Sequence, residues 1–231
     1  MFAPIAVTIC LAGLCAGGQQ VRVQVNALAA ADAASQTRFF ILPANPGVQV
    51  SDLQFQEYAQ EVARALFARG YQPAQTPDEA TVLVMMSWAI SAPQSRTETR
   101  MVGGMAQQEV VDGVRAPAAP GLPAQVSSHT EFRPTQTPLA ETVTTYVRQL
   151  ALKGFDQTAF KKDKSIKELW EMTLTSEGSS NDLRAVFPAL VAAGQPYLGK
   201  GTPKAVTVDL GQNANEVKYV RGEIPGFPAK K

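Results

Sequence analysis

The spacing of apolar residues changes twice between positions 38 and 90, and this change constrains the fold more than any other feature. Residues 38–42 (RFFIL) form a short apolar run that a proline and an Asn-Pro-Gly turn bring to an end. Residues 51–70 carry apolar side chains at intervals of three and four. Residues 81–90 are apolar at nearly every position, which is typical of a central strand covered on both faces. The pattern predicts a strand, an amphipathic helix and a buried strand, in that order.

The helix has recognisable ends. Ser51 is a candidate N-cap, and Gly70 is a candidate stop. Its apolar stripe is predicted to face the core and consists of Leu53, Phe55, Tyr58, Ala59, Val62, Leu66 and Phe67.

Weaker patterns predict the remaining elements. Val21, Val23 and Val25 alternate with polar residues, as in a half-buried strand, and an Ala-rich connection over 27–36 follows them. A solvated turn is expected at residues 161–164. Further strands are predicted at 142–152, 169–175, 205–210 and 216–220, and a second helix is predicted at 182–198 with an interruption or shift at Pro188.

Residues 92–138 break the pattern. They hold six of the sixteen prolines of the chain in a background rich in Gln, Ala and Ser. Two interpretations stay open, a long hairpin or a mobile excursion, with short extended pieces at 109–111 and 125–132.

The order of the predicted strands and helices favours an α+β fold, with a mixed and mostly antiparallel sheet and two helices packed on one face. We expect a single domain over residues 19–222 that contains the 92–138 excursion, and a flexible tail over 223–231.

Both cysteines, Cys10 and Cys15, lie in the first fifteen residues, within an apolar stretch that has no charge before Arg22. Residues 1–18 are therefore predicted to be an export signal peptide. A cut before Gln19 would remove both thiols, whereas a cut before Cys15 would leave a cysteine for lipid attachment. Leu14 departs from the small residue that a lipoprotein peptidase requires, so both readings stay open. Either way, the mature chain has no internal disulfide.

Composition makes several functions improbable. The net charge of +1 provides no field for nucleic acid, so no nucleic-acid partner is expected. His129 is the only histidine, and neither a metal site nor another cofactor is expected. The stretch 194–202 (GQPYLGKGT) approaches a phosphate-binding loop, but Gly201 replaces the required Ser or Thr, and a helix precedes it where a strand is needed. We interpret it as a turn.

The loop 176–182 (SEGSSND) is the best candidate site. Hydroxyls and free N–H groups at a helix start can bind an anion or ligand, and the candidate residues are Ser179, Ser180, Asn181 and Arg184. The alternative is plain N-capping by Ser180 or Asn181. A secreted serine-dependent hydrolase using this loop is the enzymatic alternative, but no histidine or Ser-x-x-Lys pattern accompanies the serines, so no catalytic residue is assigned.

The segments 38–90 and ELWEMTLTSEGSSNDLRAVFPALVAA (168–193) resemble a bacterial lipoprotein family, domain of unknown function 4136. The first carries a strand, a helix ending in Ala-x-Gly-Tyr and an apolar strand, and the second carries a Trp-containing strand, a Ser-Gly-Ser-rich turn and a helix. The resemblance implies an exported, often lipid-anchored α+β domain of unknown activity in the cell envelope.

The function expected from these features is a non-enzymatic binding or scaffold module in the periplasm. Its partner would be an envelope protein or a small ligand. If Cys15 is modified, a lipid would anchor the module to a membrane, with the outer membrane as one candidate.

Overall fold

The computed structural model describes residues 20–33, 37–115 and 125–226. These residues form two compact units, one built from residues up to 92 together with those from 146 onward, and the other from residues 93–145. The predicted leader lies outside the described residues, as does most of the predicted tail. The domain bounds of 19–222 stay a prediction.

The described residues contain eight strands and four helices. The strands are β1 (Gln20–Ala29), β2 (Arg38–Pro43), β3 (Gln72–Pro73), β4 (Val82–Ile90), β5 (Gln94–Arg115), β6 (Gln125–Asp156), β7 (Glu168–Gly178) and β8 (Val206–Gly211). The helices are α1 (Leu53–Ala68), α2 (Gln157–Asp163), α3 (Leu183–Gly194) and α4 (Asn215–Arg221).

The strands form a mixed, mostly antiparallel sheet in the order β3-β2-β4-β6-β7-β1-β8, and β5 pairs with the first part of β6. Only the pairs of β2 with β3 and with β4 are parallel among the described strands. The predicted mixed sheet is confirmed, but the described chain has four helices where two were expected.

The strand predictions hold best where side chains alternate. Val21, Val23 and Val25 are buried, while the intervening residues are exposed, as expected for β1. The predicted connection at 27–36 is wrong at its start, because β1 continues to Ala29 and pairs with β7 along its second half.

Strand β4 is central in the sheet but is buried on one face only. Val82, Val84 and Met86 are fully buried, whereas Leu83 and Met85 are partly exposed. The prediction of cover on both faces is therefore wrong. The short helix α2 contacts β4 but covers only part of its second face.

Helix α1 begins one residue later than predicted. Its N-cap is Asp52, not Ser51, and the Asp52 carboxylate accepts a hydrogen bond from the Gln49 N–H at 2.9 Å. Gly70 follows the helix with a φ of +92°, the left-handed conformation expected of a stop. Two predicted core residues are exposed, Leu53 by 82% and Phe67 by 56%, because they lie outside the arc that Phe55, Tyr58, Val62 and Leu66 bury.

Two short helices contradict the predictions for their segments. Residues 161–164 were expected in a turn, but α2 reaches Asp163 and starts at Asp156, whose carboxylate accepts from the Ala159 N–H at 3.0 Å. Residues 216–220 were expected in a strand, but α4 occupies them. Its fully buried residues, Val217 and Val220, are three positions apart, a helical spacing that the apparent alternation of the segment concealed.

Helix α3 joins the sheet to the other helices. It contacts β1, β7 and β8 as well as α1 and α4, and its residues from Val186 to Gly194 are buried. Pro188 lies inside this helix and does not interrupt it, while the predicted end at 198 is replaced by a 3-10 turn over Gln195–Tyr197. The Phe187 ring stacks on Tyr58 of α1 with 3.8 Å between centroids. Trp88 meets the same tyrosine edge-on at 5.2 Å.

We expect Gly154→Ala to destabilise the first unit by roughly 1–3 kcal/mol. Gly154 pairs with Trp170, and a β-carbon at Gly154 would lie 2.4 Å from the indole Nε1, so the buried ring would have to move. Denaturant unfolding measures the change. Gly211→Ala is the matched control, because a β-carbon there meets no atom within 4 Å. Equal stability of both variants would contradict this packing.

We expect the free energy of unfolding to fall as pH rises from about 4.5 to 8, because the carboxyl group of Glu61 ionises in this range. Burial raises the pKa of Glu61 to about 8, with a smaller contribution from Glu57, so folding favours the protonated form. The stabilisation is complete below the unfolded pKa and is lost as pH passes the folded value.

Glu61→Gln should therefore raise the free energy of unfolding at pH 8 by roughly 1–3 kcal/mol and change it little at pH 4.5. Unfolding in urea at several pH values measures this, with the exposed Glu79→Gln as control. A Glu61→Gln effect that is independent of pH would rule out the role given to this carboxyl.

Candidate functional site

An arginine stands on the core face of β6. Arg148, Leu150 and Leu152 alternate along the strand and share one side, and Arg148 is only 5% exposed. Directly across the ladder lies Ser176 of β7, which is also buried. The sheet thus places a charged group at the end of a row of apolar ones.

Three hydrogen bonds hold the guanidinium. Its Nε donates to the Ser176 carbonyl at 3.5 Å, Nη2 to the Ser176 hydroxyl at 3.3 Å, and Nη1 to the Ser180 carbonyl at 3.4 Å. All three acceptors are neutral, and no carboxylate among the described residues forms an ion pair with Arg148. Burial lowers the pKa of Arg148, yet an arginine keeps its proton at neutral pH. The result is a buried positive charge without a counterion in the described chain.

Gly178 makes room for this charge. A β-carbon built at Gly178 would lie 2.4 Å from Arg148 Nη2, so the guanidinium packs directly on the glycine backbone. Any side chain at this position would displace Arg148.

A cavity of about 230 Å³ opens beside the guanidinium. Polar residues from four parts of the chain line it, namely Gln20, Arg148, Glu177, Ser179, Ser180 and Gln212. A guanidinium has five N–H donors, of which three are used here, and a fork of this kind binds planar oxyanions. The cavity is suited to the carboxylate or phosphate group of a small molecule.

The cavity brings together two of the four predicted site residues. Ser179 and Ser180 line it, and the Ser180 hydroxyl also accepts from the Asp182 N–H at 3.1 Å. Asn181 is exposed and does not line the cavity. Arg184 also lies outside the lining, and its Nε donates to the Glu57 carboxylate of α1 at 2.8 Å.

The helix after this loop is capped by Asp182. Its carboxylate accepts from the Ala185 N–H at 3.1 Å, so neither Ser180 nor Asn181 is the N-cap, as the alternative interpretation had it. Asp182 satisfies one free N–H of the helix start, and the side chain of Arg148 supplies the charge that faces the cavity.

Within the described residues, the groups that a serine hydrolase or a metal site requires do not come together. The cavity lining contains neither histidine nor lysine that could deprotonate Ser179 or Ser180, and in the other unit His129 Nδ1 lies 2.7 Å from Asp112. No metal-binding cluster of His, Cys, Asp or Glu occurs within the described residues. In the same residues no helix combines the length and hydrophobicity that a bilayer crossing requires.

The turn prediction for 194–202 is confirmed. A helix precedes this segment, a strand follows it, and Gly199 adopts a φ of +68°. A β-carbon at Gly199 would lie 2.3 Å from the Tyr71 hydroxyl oxygen, which explains the glycine without any phosphate.

Arg148 is a site residue that no predicted motif contains. A charged residue in the i, i+2, i+4 series of a core face is the signal that could have found it.

No protein-family model and no curated protein matches this chain. A crystal structure of a PDZ domain protein from Parabacteroides distasonis ATCC 8503 is similar to it, with a TM-score of 0.41 and 10% sequence identity. The match covers 84% of this chain but 40% of that one. A similarity of this degree carries no functional argument, and the resemblance to domain of unknown function 4136 stays a prediction.

Proposed function

We propose that this protein is an exported cell-envelope binding module that holds the carboxylate or phosphate group of a small ligand against Arg148. One observation carries the proposal. A guanidinium that is 5% exposed borders a polar cavity and has no carboxylate partner among the described residues.

The energetic argument starts from the buried charge. Removing an ion from water costs several kcal/mol unless an opposite charge or good hydrogen bonds compensate it. The three bonds to Arg148 are 3.3 to 3.5 Å long, at the weak end of the range. An oxyanion in the cavity would supply both the missing charge and short charge-assisted bonds.

The lining sets the class of ligand. Serine hydroxyls and glutamine amides can donate to further oxygens of the same group, and Glu177 is the one acidic residue of the lining. The cavity volume of about 230 Å³ is smaller than the roughly 300–1,000 Å³ of drug-sized pockets, so it suits one anionic group rather than a large molecule.

The proposed compartment is the periplasm. It is supported by the charge-free apolar stretch of residues 1–18, and lipid attachment at Cys15 would hold the module near a membrane.

We also propose that α1 and α3 form a helical layer over one face of the sheet. The contacts of α3 with β1 and β7 and of α1 with β2 support this arrangement. Such a layer would hold the start of α3 over the end of β7, beside Arg148 of β6, where the cavity lies.

Inorganic phosphate should raise the melting temperature of the chain by roughly 3–5 °C at ten times its dissociation constant. Arg148→Lys keeps the charge but loses the planar fork, and Gly178→Ala displaces the guanidinium, so both should lose most of this shift. Scanning calorimetry measures it, with sodium chloride at equal ionic strength as the reference and acetate as the carboxylate probe.

Arg184→Ala is the matched control, because this arginine is exposed, pairs with Glu57 and does not line the cavity. It should keep the full phosphate shift. The proposal is overturned if phosphate stabilises no more than sodium chloride does, or if Arg148→Lys retains the whole effect.

Metabolic labelling with an alkynyl fatty acid should mark the wild-type chain and not Cys15→Ala. Cys10→Ala provides the control, since a cut before Cys15 removes Cys10, and this variant should keep the label. Absence of label from the wild type would leave a cut before Gln19 as the processing step and exclude the lipid anchor.

A further inference from the structure

The second unit is a long two-stranded ribbon. Residues 94–115 of β5 pair with residues 125–145 of β6 in one antiparallel ladder, with a single bulge between Val111 and Gly113. The structure shows the hairpin, one of the two interpretations given for this segment. The predicted extended pieces at 109–111 and 125–132 are parts of the same ladder.

Both faces of this ribbon are exposed. Several large apolar side chains are exposed to solvent, among them Met101 (58% exposed), Met105 (67%) and Phe132 (59%). A two-stranded hairpin without a second layer is marginally stable in water. The apolar side chains therefore indicate a surface that something covers.

The charges of the ribbon lie almost entirely on one face. Side chains alternate along each strand, and residues opposite one another in the ladder share a face. Between the pairs Ser95–Thr144 and Val111–Ser128, one face carries Glu109 as its only charged residue. The opposite face carries Arg96, Glu98, Arg100, Glu131, Arg133 and Glu141, together with His129. We name the first of these the uncharged face, because it has no charged residue from Ser95 to Gln107 or at the facing positions of β6.

The centre of the uncharged face is symmetric over three ladder pairs. Its central pair is Gly103 with Gln136. Met101 lies opposite Pro138 two residues to one side of this pair, and Met105 lies opposite Pro134 two residues to the other side. A β-carbon at Gly103 would meet no atom within 4 Å, so the glycine leaves a gap at the centre.

We propose that the uncharged face binds the same face of a second copy of this chain. The two-fold axis lies between the two copies, parallel to the line that joins Gly103 and Gln136. The axis sets the Met101–Pro138 pair of one copy on the partner's Met105–Pro134 pair. A two-fold interface requires a surface that complements itself, and the repeated Met–Pro pairs meet this requirement. The charged faces stay in solvent on both sides.

The area of the uncharged face is sufficient for a specific dimer interface. Seventeen residues of β5 span about 55 Å, and two strands are about 10 Å wide, which gives roughly 550 Å² in each copy. The total of about 1,100 Å² exceeds the roughly 1,000 Å² that separates specific interfaces from incidental contacts.

Sedimentation velocity on the purified chain tests the proposal. The wild type should sediment as a dimer at micromolar concentration, and the double variant Met101→Lys/Met105→Lys should sediment as a monomer because it places a charge at both apolar pairs. Val102→Lys is the matched control, since Val102 is adjacent but lies on the charged face, and it should stay dimeric.

Cross-linking tests the same interface without relying on a variant that dissociates the dimer. Two packed sheet layers lie about 10 Å apart, so a bis-maleimide of that span should join two Gly103→Cys chains and should not join two Val102→Cys chains. The proposal is overturned by a monomeric wild type, by a wild type that associates only on lipid vesicles, by a dimer that survives both methionine substitutions, or by equal cross-linking at the two positions.

Discussion

The burial of helix α3 on all sides from Val186 to Gly194 is the constraint on which the first unit depends. The helix lies against three strands and two other helices, and its close approach to the sheet requires Gly194, where a β-carbon would lie 2.8 Å from Leu174 Cδ1. The Phe187–Tyr58 stack fixes α1 against it. Because α3 cannot shift in this packing, its first turn is a rigid wall of the cavity beside Arg148.

Much of the fold could be predicted from apolar spacing. Strand β1, helix α1 and the second half of β6 each bury one regular face, so periods of two and 3.6 residues are visible in their sequences. Helices α2 and α4 have seven residues each, which is barely two turns, so spacing could not separate them from a turn or a strand. Their capping and burial depend on contacts that only the folded chain makes.

The site was partly predictable for a related reason. Ser179 and Ser180 stand in a short polar loop that composition reveals, whereas Arg148 reaches Ser180 from 32 residues away through the register of β6 with β7. Sequence shows that an arginine interrupts an apolar face. It does not show that Gly178 receives the guanidinium or that no carboxylate among the described residues pairs with it. Both depend on how the strands are aligned.

The edge of the sheet formed by β3 is protected against the addition of foreign strands. Strand β3 has only two residues, and one of them, Pro73, has no N–H to offer a neighbour. An extended chain that docked there would find almost no backbone partners. Polymerisation by edge-to-edge pairing is thereby suppressed at this border, so the first unit can stay discrete at the high protein concentrations of a crowded compartment.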